Sequence, residues 1–81
     1  MFKNKNNSSN NLCGNNIKSI RQSHMPKLSQ RGLSDLLQLA GLDLDKNAIQ
    51  RIESGQRFVT DIELKTISKV LDISLDDLLK E

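Results

Sequence analysis

The run from Asp45 to Ser54 (Asp-Lys-Asn-Ala-Ile-Gln-Arg-Ile-Glu-Ser) holds a lysine, two side-chain amides, an arginine and a serine hydroxyl in a few turns of chain. At about 100° per residue, Lys46, Asn47, Gln50, Arg51 and Ser54 share one arc of a helix, with Ala48, Ile49 and Ile52 opposite. Lysine and arginine donate to phosphate oxygens. The arginine fork also matches the two acceptors of guanine, and an asparagine or glutamine amide can both donate to and accept from adenine. That is the chemistry of holding a nucleic acid, not of breaking a bond. Nucleophilic catalysis needs a base beside the nucleophile, and a metal site needs three or four suitable ligands. His24, Cys13 and scattered carboxylates meet neither need, and Gly14, Gly32, Gly41 and Gly55 stand apart rather than in a phosphate-binding loop. No enzymatic activity, cofactor or metal is expected.

The elements that must position this face show one grammar. Asn16 can cap a helix carrying Ile17, Ile20 and Arg21, which must end near Met25 because Pro26 follows. Ser29 caps a second helix, with Leu28 and Leu33 as its staple, Leu33, Leu36, Leu37 and Ala40 as its buried face, and Gly41 as its stop. Asp45 caps the third, with Leu44 and Ile49 as the staple and Gly55 as the stop. Thr60 and Glu63 make a capping box for a fourth helix through Ile67, Val70 and Leu71. Ser74 and Asp77 do the same for a short fifth helix stapled by Ile73 and Leu78. No stretch alternates with period two, so the expected fold is all-α, a compact five-helix bundle over residues 16–81. Residues 1–15, mostly Asn, Ser and Lys, are expected to form a disordered tail containing Cys13.

Eighty-one residues allow one small domain, and no apolar run approaches the length of a membrane span. The lone cysteine and the lack of a signal-peptide core fit a cytoplasmic protein. The net charge of +2 is unevenly spread. Residues 17–57 hold seven basic side chains (Lys18, Arg21, Lys27, Arg31, Lys46, Arg51, Arg57) against Asp35, Asp43, Asp45 and Glu53, a net of +3. Residues 58–81 hold Lys65, Lys69 and Lys80 against Asp61, Glu63, Asp72, Asp76, Asp77 and Glu81, a net of −3. The basic half contains the candidate reading helix at about residues 46–53.

Leu28-Ser29-Gln30, followed about twenty residues on by Ile49-Gln50-Arg51-Ile52-Glu53-Ser54-Gly55-Gln56-Arg57, resembles the helix-turn-helix domain of phage repressors and Cro. The resemblance covers roughly residues 16–80. It implies a lambda-repressor-like DNA-binding fold in which the third helix enters the major groove. By position it assigns base-facing roles to Lys46, Asn47, Gln50 and Arg51, and a backbone contact to Gln30. Ser54, Gly55, Gln56 and Arg57 match a phosphate-holding loop, and Arg21 and Glu53 match a buried salt bridge. Three departures stand out. The loop His24–Leu28 is long, the connection Gly41–Asp45 is about two residues longer than usual, and Gly32 occupies the third position of the second helix.

The expected function is a sequence-specific double-stranded DNA-binding regulator, a repressor acting as a homodimer at least on DNA. The alternative is a protein-interaction module on the same fold, such as an antitoxin or bridging factor. The apolar residues Phe58, Leu75, Leu78 and Leu79 in the acidic half fit either self-association or a partner. With no sensory domain, control is expected through abundance, proteolysis or a regulatory protein partner.

Overall fold

Each expected N-cap from Ser29 onward closes the helix that follows it in the computed structural model, which describes residues 9–81. Ser29 Oγ accepts from the Gly32 N–H at 2.9 Å, Asp45 Oδ1 from the Ala48 N–H at 2.8 Å, and Ser74 Oγ from the Asp77 N–H at 3.1 Å. At the fourth helix the bond is reciprocal: the Glu63 N–H donates to Thr60 Oγ1 at 3.2 Å, and the Thr60 N–H to Glu63 Oε1 at 3.0 Å. The Ser74 cap is one-sided, unlike the box expected there, because Asp77 is a methylene shorter than Glu63. The resulting elements are α1 (Gly14–Ser23), α2 (Gln30–Leu39), α3 (Lys46–Glu53), α4 (Asp61–Leu71) and α5 (Leu75–Leu78).

Helix ends repeat one device as well. The Leu42 N–H reaches Leu37 O at 2.9 Å and the Gly41 N–H reaches Gln38 O at 3.0 Å. The Gln56 N–H reaches Arg51 O at 2.9 Å and the Gly55 N–H reaches Ile52 O at 3.0 Å. Both pairs are Schellman closures, which require a left-handed residue, and Gly41 and Gly55 supply it at φ +93° and +82°. The long connection between α2 and α3 is thereby an ordered turn. Leu44 is buried within it, and its carbonyl accepts from Ser34 Oγ at 2.7 Å.

α2 packs on α3 and α4, α1 packs on α3 and α5, and α4 packs on α5. The shared core comprises Cys13, Ile17, Leu33, Leu37, Leu44, Ala48, Ile49, Ile52, Ile67, Leu71 and Leu78. Two expectations for the core need correcting. Leu36 is 40 % exposed and Ala40 is exposed, whereas Ser34 is buried, so the inward face of α2 is Leu33, Ser34 and Leu37. A serine can take that place because its hydroxyl finds the Leu44 carbonyl. Leu78, read as a candidate contact residue, is fully buried, and Leu79 packs against the core. Phe58 and Leu75 remain exposed.

The N-terminal segment differs most from the expectation of a disordered tail over residues 1–15. Residues 1–8 lie outside the described residues. Residues 9–13 lie along the end of α3, and Cys13 is 1 % exposed within the core. α1 starts at Gly14 rather than Asn16, because Asn11 Oδ1 accepts from the Gly14 N–H at 2.7 Å. Asn16 instead donates from Nδ2 to the carbonyls of Leu78 and Lys80, at 2.8 and 2.7 Å, joining α1 to the chain's C-terminal turn. Burial drives the Cys13 thiol pKa up to about 11, so it is not a thiolate nucleophile.

Candidate nucleic-acid interface

The third helix is anchored from behind. Ile49 and Ile52 are 2 % and 1 % exposed, and with Ala48 they seal one side of α3 into the core. Lys46, Asn47, Gln50, Arg51 and Ser54 are exposed on the other side, as helical periodicity requires. The ion pairs among the described residues are Arg21–Glu53 and Arg57–Glu63. The positive charges of Lys46 and Arg51 are therefore not spent on a carboxylate in these described residues. Lys46 stands at the helix start and Arg51 in the last turn, so the face presents cations at both ends with amides between them.

Below this face, Arg21 and Glu53 tie α1 to α3 by a two-pronged bond. Arg21 Nε donates to Glu53 Oε2 and Nη2 to Oε1, both at 2.8 Å, with the two side chains 10 % and 3 % exposed. Hydrogen bonding to Glu53 raises the Arg21 pKa above its ordinary value despite the opposing effect of burial. Arg21 Nη1 also donates to the Leu28 carbonyl at 3.1 Å, which draws in the long α1–α2 loop. Gln30, at the start of α2, donates from Nε2 to Glu53 Oε1 at 3.0 Å. A primary amide has two N–H groups, so one remains to point elsewhere. Gln30 thus joins α2 to α3 while keeping a donor at the helix start, where the dipole also favours an anion.

The loop after α3 is arranged differently from a free phosphate cradle. The backbone N–H groups of Ser54, Gly55, Gln56 and Arg57 all donate to carbonyls within α3. Ser54 Oγ donates to Arg51 O at 3.2 Å, and Gly55 is buried. Arg57 does not project as a free cation: Nη1 and Nη2 donate to the Glu63 carboxylate at 3.1 and 3.0 Å. The capping box already holds Glu63 at the start of α4, six residues on, within reach of a guanidinium. Burial pushes the Glu63 carboxyl up, but hydrogen bonds from Arg57 and Thr60 outweigh it and leave the pKa below the ordinary carboxylate value. Gln56 is exposed beside this pair.

A helix-turn-helix family model matches residues 17–78, which span α1 to α5. The chain belongs to the Cro/C1-type helix-turn-helix family. Comparison with curated proteins and with solved structures returns no match. As a helix-turn-helix protein it falls in a DNA-binding regulator family. Among the described residues, no helix is long and apolar enough to cross a membrane.

Of the residues singled out from sequence, Lys46, Asn47, Gln50, Arg51 and Ser54 share one exposed face, while Gln30 joins it from α2 through Glu53. Arg57 stands apart, bound to Glu63. Sequence reading missed Asn10, Asn11 and Gly14, which sit against the end of α3. Their only local signal was the Asn-rich composition that also suggests disorder.

Proposed function

We propose that the chain is a sequence-specific transcriptional regulator that reads the major groove of double-stranded DNA with α3. The exposed polar face of α3, where Lys46 and Arg51 pair with no carboxylate among the described residues and the other side is sealed by Ile49 and Ile52, carries this reading. Arg51 and Asn47 are assigned to base edges, since arginine can pair bidentately with guanine and asparagine with adenine. Lys46 and Gln50 flank them on the same arc. Gln30, Ser54 and Gln56 are assigned to the phosphate backbone, Ser54 by turning its hydroxyl away from the Arg51 carbonyl. Arg57 is assigned to holding the loop, because its charge is shared with Glu63.

The regulator acts as a repressor whose occupancy of its site blocks polymerase. It binds as a homodimer on DNA, because one reading helix touches too few base pairs to select a site from a genome. Two copies related by a twofold axis reach half-sites about 34 Å apart. Phe58, Ile62 and Leu75 are 57 %, 70 % and 43 % exposed, and apolar side chains of this kind supply a contact between copies.

Selecting duplexes from a random pool, then titrating affinity against salt, tests the proposal. The expected outcome is a palindromic preference, with log affinity falling linearly against log salt at a slope of about −0.9 per phosphate contacted. Affinity for duplex DNA that is absent or insensitive to salt rejects it in favour of a protein-interaction module.

A further inference from the structure

We infer that Asn10 and Asn11 form a strap that fixes the last turn of α3, making Asn11 a positioning residue for the reading face. The inference rests on the proposal that α3 reads DNA. A helix leaves the carbonyls of its final turn short of partners, and the loop beyond it adds more. Two consecutive asparagines supply donors here. The Asn10 N–H donates to Gly55 O at 2.8 Å and Asn10 Nδ2 to Gln56 O at 2.9 Å. Asn11 Nδ2 donates to Ile52 O at 3.1 Å and to Arg57 O at 2.7 Å.

The other end of the same Asn11 amide works in the opposite sense. Its Oδ1 accepts from the Gly14 N–H at 2.7 Å, so one side chain joins the start of α1, the end of α3 and the loop before α4. Buried Cys13 holds the strap to the core from below. The backbones press together at two glycines. A Cβ on Gly55 would lie 2.5 Å from Ser9 Oγ, and one on Gly14 would collide with the Ile52 carbonyl oxygen.

The clamped turn carries Arg51 and leads into Ser54 and Gln56. Recognition geometry has to be held to about 0.5 Å and 10–20°. Arg51 has a long side chain, so a small tilt of its backbone turn becomes a larger displacement of the guanidinium. The strap therefore sets specificity without touching the DNA.

The test uses the full chain carrying Asn11→Ala, Asn11→Asp or Asn10→Ala. Asn11→Asp keeps the acceptor for the Gly14 N–H and removes both donations. Asn10→Ala removes one donation and carries the same test if the Asn11 variants do not fold. Measurements are made well below each unfolding midpoint, by amide hydrogen exchange and by affinity for the selected duplex relative to a scrambled one. Expected are about tenfold faster exchange at Gly55, Gln56 and Arg57 with α4 unchanged, and a preference reduced about tenfold while scrambled-duplex affinity holds. Folded variants with the parent's exchange at these amides, or with its preference, overturn the inference. A parent protein that selects no duplex overturns the DNA reading, and the inference with it, whereas failure in the variants alone overturns only the strap.

Discussion

Replacing Glu53 with glutamine removes one charge and leaves the shape of the side chain nearly unchanged. The carboxylate accepts from Arg21 Nε and Nη2 at 2.8 Å each and from Gln30 Nε2 at 3.0 Å. An amide can accept at only one of its two ends, and the other presents N–H groups to donors already in place. The Arg21 side chain, 10 % exposed, then keeps the Leu28 carbonyl and at most the one amide oxygen as acceptors, and its charge has no carboxylate opposite it. Stranding one member of a buried pair costs about 3–5 kcal/mol. At roughly 0.05–0.15 kcal/mol per residue, a chain of 81 residues has about 4–12 kcal/mol in total. The single substitution therefore removes a large share of the stability. For a domain of this size each kcal/mol moves the midpoint by about 4–8 °C, so thermal unfolding should fall by at least ~12 °C. The double replacement Arg21→Met with Glu53→Leu should recover most of the loss, because it also removes the desolvation cost of both ions. Urea unfolding of the parent, Arg21→Met, Glu53→Leu and the double variant closes the cycle, with Glu53→Gln measured beside it. Single losses below about 1 kcal/mol, the range of exposed pairs, would refute the account of a buried pair binding α1 to α3.

Arg51→Ala and Asn47→Ala should each cost about 1–3 kcal/mol in binding the selected duplex, with urea midpoints and scrambled-duplex affinity nearly unchanged; equal preference in parent and variants removes α3 as the reader. Arg57→Ala should cost about 1–2 kcal/mol of stability, and the cost should depend on pH. The Glu63 pKa is lowered by folding, so its contribution is present above the ordinary carboxyl value of 4.5 and is lost as pH falls through the lower folded value. Urea midpoints of parent and Arg57→Ala should therefore converge in acid, and a constant gap down to the lowest pH at which the parent folds contradicts the pairing. Cys13, with its pKa near 11, should resist iodoacetamide at pH 8 in the folded chain and react once urea unfolds it. Rapid labelling of the native protein would show that residue 13 does not sit in the core.

Features governed by contacts a few residues apart were legible in the chain. Ser29, Asp45, Thr60 and Ser74 each bond an N–H three residues away, and Gly41 and Gly55 end their helices through their own φ values. The polar arc of α3 follows from the turn of one helix, with Ile49 and Ile52 marking the buried side. Arg21 and Glu53 are 32 positions apart, and their pairing was indicated by family resemblance rather than by spacing. Other features depend on where distant segments meet. Asn11 bonds carbonyls 41 and 46 residues away, and nothing in an Asn-rich stretch distinguishes a strap from a solvated tail. The choice of Ser34 over Leu36 for the inner face of α2 turns on a carbonyl brought back by the turn at Leu44. Arg57 is legible as a cation. Whether it meets a phosphate or a carboxylate depends on the start of α4, where folding sets Glu63 beside it. Local hydrogen bonds and helical periodicity belong to short pieces of chain, whereas the pairing of polar groups across the bundle is settled when the helices pack.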